Sequence, residues 1–125
     1  MNTAKNNQQV LIGAAILYRD HKKGKQFLIV KNNKEDGWEL PKVAVRKGES
    51  SVRAAIRMMG EQAGITARVL EEAGRLSGST ILNNKQVSQK HFYYLMMQRS
   101  ANGEIIGFSD YQWLEYSQNS LVSPH

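Results

Sequence analysis

A short run of charged residues in the middle of the chain carries the groups that could do chemistry. Glu49 precedes a predicted helix, and Arg53, Arg57 and Glu61 follow within it at intervals of four residues. Residues four apart share one helix face, so Arg57 and Glu61 can form an ion pair. The helix dipole favours a carboxylate before the first turn, and Glu49 also lies within reach of Arg57. Taken alone, this pattern predicts a capped amphipathic helix with exposed charge pairs.

The helix that must position these groups is predicted over residues 51–63. Ser50 and Ser51 are candidates for its N-cap, and Gly64 suits a left-handed stop at its end. Met58 and Met59 are expected to pack against the core. An apolar stripe recurs at the spacing of an amphipathic helix: Val52, Ala55, Ile56, Met59 and Ala63.

Strands are predicted on both sides of this helix. Apolar runs at 10–18 and 27–30 predict a hairpin joined by a loop at 19–26. Residues 38–41 are expected to be extended, and 42–48 to form an irregular loop. Later strands are predicted at 66–76, 81–82, 91–98 and 112–115, with turns at 83–84 and 102–103. This order predicts a mixed α/β or α+β domain.

Residues 43–65 resemble the Nudix signature of the MutT-like phosphohydrolases. That signature reads Gly, five residues, Glu, seven residues, Arg-Glu, an aliphatic residue, any residue, Glu-Glu, any residue, Gly and an aliphatic residue. The matching positions are Glu49, Arg57, Met59, Glu61, Gly64 and Ile65. Segments 38–41, 91–94 and 113–114 resemble those that flank the signature in the family. The resemblance covers roughly residues 10–116 and implies an α/β fold, a Nudix-like α/β/α sandwich with a mixed sheet whose second helix is short or absent.

Three positions depart from the family pattern. Val43 replaces the opening glycine, Met58 replaces the glutamate after the arginine, and Gln62 replaces the second residue of the Glu-Glu pair. In the family the helix glutamates hold a divalent metal, Mg²⁺ or Mn²⁺, which bridges a diphosphate and activates water. Here Glu61 is the remaining metal ligand, and Gln62 offers only a weak, neutral carbonyl. A thioether is a poor ligand for Mg²⁺, so the metal is expected to bind weakly or to be absent.

The resemblance also assigns roles to residues around the helix. Glu61, Arg57 and Glu49 are the catalytic candidates, the last two by organising the loop. Asp110 and Glu104 are candidate substitute acids, because some family members place an extra acid before the late tryptophan. The candidate ligand-binding residues flank the expected cleft: Lys42, Arg46 and Lys47 for phosphate, and Trp38 for stacking a base or anchoring the loop.

The charge distribution favours a phosphate-bearing partner. The chain has 17 Lys and Arg against 11 Asp and Glu, a net charge of +6, and residues 19–57 hold eleven of the basic residues but only five acids. Such a block is typical of proteins that bind nucleotides, polyphosphates or RNA, or else of a solvated basic face. There is no cysteine, which excludes disulfides, thiolate metal sites and cysteine nucleophiles.

The length of 125 residues predicts a single domain at 10–125 after a flexible lead-in at 1–9. No apolar run resembles a signal peptide or a membrane span, so a cytoplasmic protein with no membrane partner is expected. Few residues follow Trp113, where family members usually continue into a helix. This sheet face is therefore expected either to be thinly covered or to pack against a partner or a second copy, which makes a homodimer possible.

The functional prediction is a Nudix-family domain that binds a nucleoside diphosphate-type ligand, a nucleotide or another phosphorylated small molecule. Hydrolysis of the diphosphate is expected to be weak or lost, because Met58 and Gln62 replace family glutamates. Removing one group that stabilises charge in a transition state often costs about 10²–10³ in rate. One alternative is an active metal-dependent pyrophosphohydrolase that uses Glu61 and a substitute acid. The other is an RNA-binding or protein-interaction module.

Overall fold

The computed structural model describes residues 9–116. Within this range a sheet of six strands carries one helix on one of its faces. In chain order the elements are β1 Gln9–His21, β2 Gly24–Lys31, β3 Lys42–Ala44, α1 Ser51–Ala63, β4 Ile65–Leu82, β5 Lys85–Ala101 and β6 Asp110–Tyr116. The rest of the predicted lead-in, residues 1–8, and the tail at 117–125 lie outside the described residues. Between residues 9 and 116 no helix has the length and hydrophobicity to cross a membrane.

The sheet is mixed, as the family resemblance implied. Its main strand order is β4-β5-β1-β2-β6, and β3 pairs with β1 beside this path. Strands β1 and β5 are parallel neighbours, in register from Gln9 opposite Ser88 to Tyr18 opposite Met97. The other strand pairs are antiparallel. The mixed α/β fold class predicted from the sequence is therefore confirmed.

Several strands extend beyond the predicted bounds. The predicted loop at 19–26 is wrong, because polar cross-strand pairs continue the β1–β2 hairpin to a tight turn at 22–23. Arg19 Nε donates to Gln26 Oε1 at 2.8 Å within this extension. The prediction of an irregular loop over 42–48 is wrong at residues 42–44. These three residues form strand β3 and pair with Ile12–Ala14 of β1. Strand β4 is continuous to the 83–84 turn, where both asparagines have positive φ as a tight hairpin turn requires.

Helix α1 begins and ends where the sequence predicts. The Ser50 side chain accepts a hydrogen bond from the Arg53 backbone N–H at 3.2 Å. Gly64 is left-handed, with φ of 66°, and its N–H donates to the Gly60 carbonyl. Gly13 of β1 lets the helix approach closely, since a Cβ there would lie 2.6 Å from the Ser51 carbonyl oxygen. The start of the helix is thereby fixed over the centre of the sheet.

The core lies between α1 and one face of the sheet. The helix contributes four fully buried side chains, and the sheet contributes the rest of the cluster: Ala55, Met58, Met59 and Ala63 from α1, with Ala15, Leu17, Leu28, Val30, Ile65, Tyr94 and Met96 from the strands. Ile105 and Phe108, in the segment between β5 and β6, also pack against this cluster. The prediction that Met58 and Met59 belong to the core is confirmed.

Candidate functional site

An ion pair fixes the loop before α1 to the helix. Glu49 receives two hydrogen bonds from Arg57, at 2.8 Å from Nε and 3.0 Å from Nη2, and both side chains are only 16% exposed. The hydrogen bond from Arg57, together with one from the Arg46 backbone N–H, lowers the pKa of Glu49 from about 4.5 to about 2. The pKa of Arg57 is raised by the same pair. Both groups are therefore charged at neutral pH, and their geometry is rigid.

Glu61 belongs to the same network of charges. Its Oε1 lies 3.5 Å from Arg57 Nη1 and 3.9 Å from Arg46 Nη2. The Glu61 side chain is 57% exposed, so solvent screens these contacts. The three residues predicted to be catalytic, Glu49, Arg57 and Glu61, are thus brought together by the structure.

A basic cleft lies beside the start of α1. It has a volume of about 590 Å³, and its lining is Arg46, Lys47, Gly48, Glu49, Ser50, Arg53, Ile56 and Arg57. Four side chains in this lining are cationic, and the one carboxylate, Glu49, is already paired with Arg57. The cleft is therefore electropositive and suited to an anion.

The predicted ligand-binding residues divide into two groups. Arg46 and Lys47 line the basic cleft, whereas Lys42 and Trp38 are not among its lining residues. Lys42 is on β3, with its Nζ 3.0 Å from Glu39 Oε1. Trp38 is 41% exposed, and the Lys31 ammonium lies 5.0 Å from the centre of its ring. The sequence prediction omitted Arg53 as a ligand-binding residue, although its spacing from Arg57 already placed both on one helix face.

Among the helix residues expected to hold a metal, Glu61 is the one that has a carboxylate. Met58 is fully buried in the core, and Gln62 has only a neutral side-chain amide. The Gln62 backbone carbonyl accepts a hydrogen bond from Gly107 N–H at 2.8 Å. Gly107 lies so close that a Cβ there would be 2.4 Å from Gln62 Cβ. Across residues 9–116 no three His, Asp or Glu side chains are grouped so that they could hold a metal ion. Mg²⁺ requires about six oxygen ligands in near-octahedral geometry, and this helix face supplies one carboxylate, Glu61.

The two candidate substitute acids lie between β5 and the beginning of β6. Asp110 is the first residue of β6, and its Oδ1 accepts a hydrogen bond from the Tyr111 backbone N–H at 2.7 Å. Glu104 lines a separate pocket near the C-terminal end of α1. Neither residue joins Glu61 in a group of three acids within the described part of the chain.

Comparisons with known proteins agree on one family. The family model described as the NUDIX domain matches residues 9–124. A Mycobacterium tuberculosis protein named MutT4 is 34% identical over 68 residues, which are 54% of this chain and 27% of that protein. The matched region thus spans about a quarter of that curated relative.

Solved structures share the fold over most of the chain. The NUDIX domain of Shewanella oneidensis NrtR, complexed with ADP ribose, has a TM-score of 0.66 at 18% identity, covering 99% of this chain and 83% of that one. The MutT protein from Methanosarcina mazei Go1 has a TM-score of 0.62 at 21% identity, with coverages of 95% and 84%. The Caenorhabditis elegans Ap4A hydrolase binary complex has a TM-score of 0.61 at 23% identity, with coverages of 85% and 80%.

Proposed function

Because this chain belongs to the Nudix domain family, we propose that it binds a nucleoside diphosphate-type ligand in the basic cleft and hydrolyses it weakly or not at all. The observation that carries the proposal is the charge of the cleft, whose lining has four cations and one carboxylate that is already paired. Similar structures include a domain complexed with ADP ribose, a molecule that contains a diphosphate.

The cleft residues suit phosphate recognition in different ways. The guanidinium groups of Arg46 and Arg53 can each present two parallel N–H donors to a pair of phosphate oxygens. Lys47 adds a more flexible point charge. Arg57 is held in place by Glu49, so little side-chain entropy is lost when an anion binds beside it. The N-terminal end of α1 lies at this cleft, and its dipole adds to the attraction of an anion.

Weak hydrolysis follows from the state of the helix carboxylates. Met58 cannot reach a metal from the core, Gln62 is neutral, and Glu61 is within ion-pair distance of two guanidinium groups. A single exposed carboxylate holds Mg²⁺ poorly on its own, which supports binding and orientation of a diphosphate rather than its efficient hydrolysis.

Calorimetric titration tests the binding proposal. ADP ribose and ADP are compared with adenosine, which has the same base and no phosphate. We expect both phosphorylated compounds to bind more tightly than adenosine, and Arg53→Ala to weaken ADP binding about tenfold, as loss of one charge-assisted contact does. Arg68→Ala, on the exposed part of β4 away from the cleft, is the matched control and should bind normally. Equal affinity for adenosine and ADP would contradict the proposal.

A second candidate function is metal-dependent pyrophosphohydrolysis that uses Glu61 and a substitute acid. The exposure of Glu61 favours it, because one exposed carboxylate can share Mg²⁺ with substrate oxygens. Turnover of ADP ribose and of dinucleoside polyphosphates with Mg²⁺ or Mn²⁺ separates the two candidates. If the natural protein hydrolyses these compounds and Glu61→Gln abolishes the activity, the chain is a metal-dependent hydrolase and the proposed loss of hydrolysis is refuted.

An electropositive cleft also suits RNA. Separately, a second copy of the chain is a partner proposed from the sequence. An oligoribonucleotide that displaces ADP from the natural protein, but not from Arg53→Ala, would assign RNA to the same cleft. Light scattering coupled to size-exclusion chromatography measures the oligomeric state, and a mass of one chain at all concentrations would contradict a homodimer.

A further inference from the structure

A second pocket lies at the opposite end of α1 from the basic cleft. Its volume is about 190 Å³, and Ala63 at the C-terminal end of the helix is part of its lining. None of its lining residues also lines the basic cleft. A helix of 13 residues is about 20 Å long, so the two sites are separate. The proposed function does not use this pocket.

A buried hydrogen-bond acceptor borders the pocket. Gln98 is on β5 and lines the pocket, and its Oε1 is buried without a hydrogen-bond partner among the described residues. Folded proteins leave few buried polar atoms without a partner, because desolvation of such an atom is costly. An N–H or O–H donor on a molecule that enters the pocket would satisfy this acceptor.

A cation and an aromatic ring form another wall. The guanidinium carbon of Arg19 lies 3.9 Å from the centre of the Trp113 ring. Arg19 Nε donates a hydrogen bond to Gln26 Oε1. The guanidinium group is therefore held from two sides. Because arginine has five N–H donors, Arg19 can donate to a ligand while it keeps its bond to Gln26.

The segment at 102–109 encloses the pocket and is fastened at three points. Asn102 N–H donates to the Gly64 carbonyl at 2.7 Å, Gly107 N–H donates to Gln62, and Ser109 N–H donates to the Lys31 carbonyl at 2.8 Å. Residues 103–105 of this segment line the pocket. The pocket is thus formed before a ligand binds, which reduces the entropic cost of binding.

The geometry points to a binding site for a small planar nitrogen heterocycle of the nucleobase class. The pocket exceeds the roughly 150 Å³ of a cavity that admits benzene, so a one- or two-ring compound fits. Gln98 would accept a hydrogen bond from a ring-edge N–H, and Arg19 would donate to a ring nitrogen or carbonyl. Ile105 and Tyr111, which are both at least partly exposed, offer apolar surface to the ring faces. The Glu104 carboxylate in the lining opposes a phosphate group, so we expect a free base to bind here better than its nucleotide.

Titration with adenine tests this site in the full chain. The chain has two tryptophans, and in a Trp38→Phe background the emission of Trp113 alone reports on the pocket. We expect adenine to change this emission and Gln98→Leu to weaken adenine binding at least tenfold. Gln86→Leu is the matched control, because Gln86 is exposed on the β4–β5 hairpin, and it should bind adenine normally. Melting curves verify that both variants are folded.

Ala101→Phe provides a second variant, since Ala101 lines the pocket and a phenyl ring would fill it. It should abolish the adenine response while ADP binding at the basic cleft is retained. If neither adenine nor cytosine changes the Trp113 emission or gives a calorimetric signal at millimolar concentration, the proposal is overturned. Adenine binding that survives both Gln98→Leu and Ala101→Phe would also overturn it, since the ligand would then lie elsewhere.

Discussion

Replacing Met58 by glutamate, the residue that the family signature has at this position, should destabilise the protein severely at neutral pH. The Met58 side chain is fully buried among the core side chains of α1 and the sheet. A carboxyl group there must either be protonated or carry an unpaired charge into the core. Holding a carboxyl of ordinary pKa protonated at pH 7 costs about 3.7 kcal/mol, since each pKa unit is worth about 1.36 kcal/mol.

The total cost is larger, because part of the methionine burial is lost as well. Full burial of a methionine side chain is worth about 1.5–3 kcal/mol, and a glutamic acid side chain recovers only some of it. We therefore expect a loss of roughly 5 kcal/mol, close to the lower end of the stability of a typical domain at about 5–15 kcal/mol.

Urea denaturation followed by circular dichroism at pH 7 and pH 5 measures this loss. The pKa of the introduced carboxyl is higher in the folded state than in the unfolded state, so the penalty grows as pH rises from about 4.3 towards the folded pKa. It should therefore be about 2.7 kcal/mol smaller at pH 5 than at pH 7. Met58→Leu keeps the volume and should cost less than about 1.5 kcal/mol.

Ile56→Glu is the matched control for the introduced charge, because Ile56 is partly exposed on the same helix. It should change stability by no more than about 0.5 kcal/mol. A Met58→Glu protein as stable as Met58→Leu at both pH values would refute the reasoning, since position 58 would then reach solvent. Restoring the family glutamates is thus not a simple repair of this helix, and Gln62→Glu alone is the cleaner variant for activity assays.

The remaining predictions concern the ion pair and two close backbone contacts. The pKa of Glu49 is about 2 in the folded protein and about 4.5 ordinarily, so its stabilising contribution is complete above pH 4.5 and lost as pH falls towards 2. Glu49→Gln should lower the melting temperature at pH 7 and reduce its further decrease between pH 5 and 2; equal acid sensitivity in both proteins would contradict this. Gly13→Ala should cost about 1–3 kcal/mol by urea denaturation, because its Cβ would meet a helix carbonyl oxygen, whereas Gly78→Ala, with open space around it, should not. Gly107→Ala should displace the 102–109 segment from Gln62, seen as faster amide exchange at 102–109, and unchanged exchange there would refute the close contact.

Local features were predictable from the sequence, and features made by distant pairing were not. Both ends of α1 agree with the prediction, because a serine N-cap and a left-handed glycine act on neighbouring backbone groups. Strand β3 has only three residues and exists because β1 offers backbone partners. The side chains of β3 carry no period that would reveal this pairing.

The candidate site shows the same division. The charged trio Glu49, Arg57 and Glu61 was identified from its spacing, and the structure brings its members together. The sequence also showed that Met58 departs from the family pattern. Gly107 allows the 102–109 segment to approach the helix closely. Nothing in the sequence distinguishes this glycine from the other glycines among the ten in the chain.

The parallel pairing of β1 with β5 has a consequence for the rate of folding. Gln9 and Ser88 are partners although about 80 residues separate them along the chain. Bringing such distant segments together costs about 4 kcal/mol of chain entropy in addition to a constant term. The β1–β2 and β4–β5 hairpins and α1 involve only nearby residues and can form within microseconds. We therefore expect the long-range pairing of β1 with β5 and of β2 with β6 to limit the rate of folding, on the millisecond-to-second timescale typical of folds rich in non-local strand pairs.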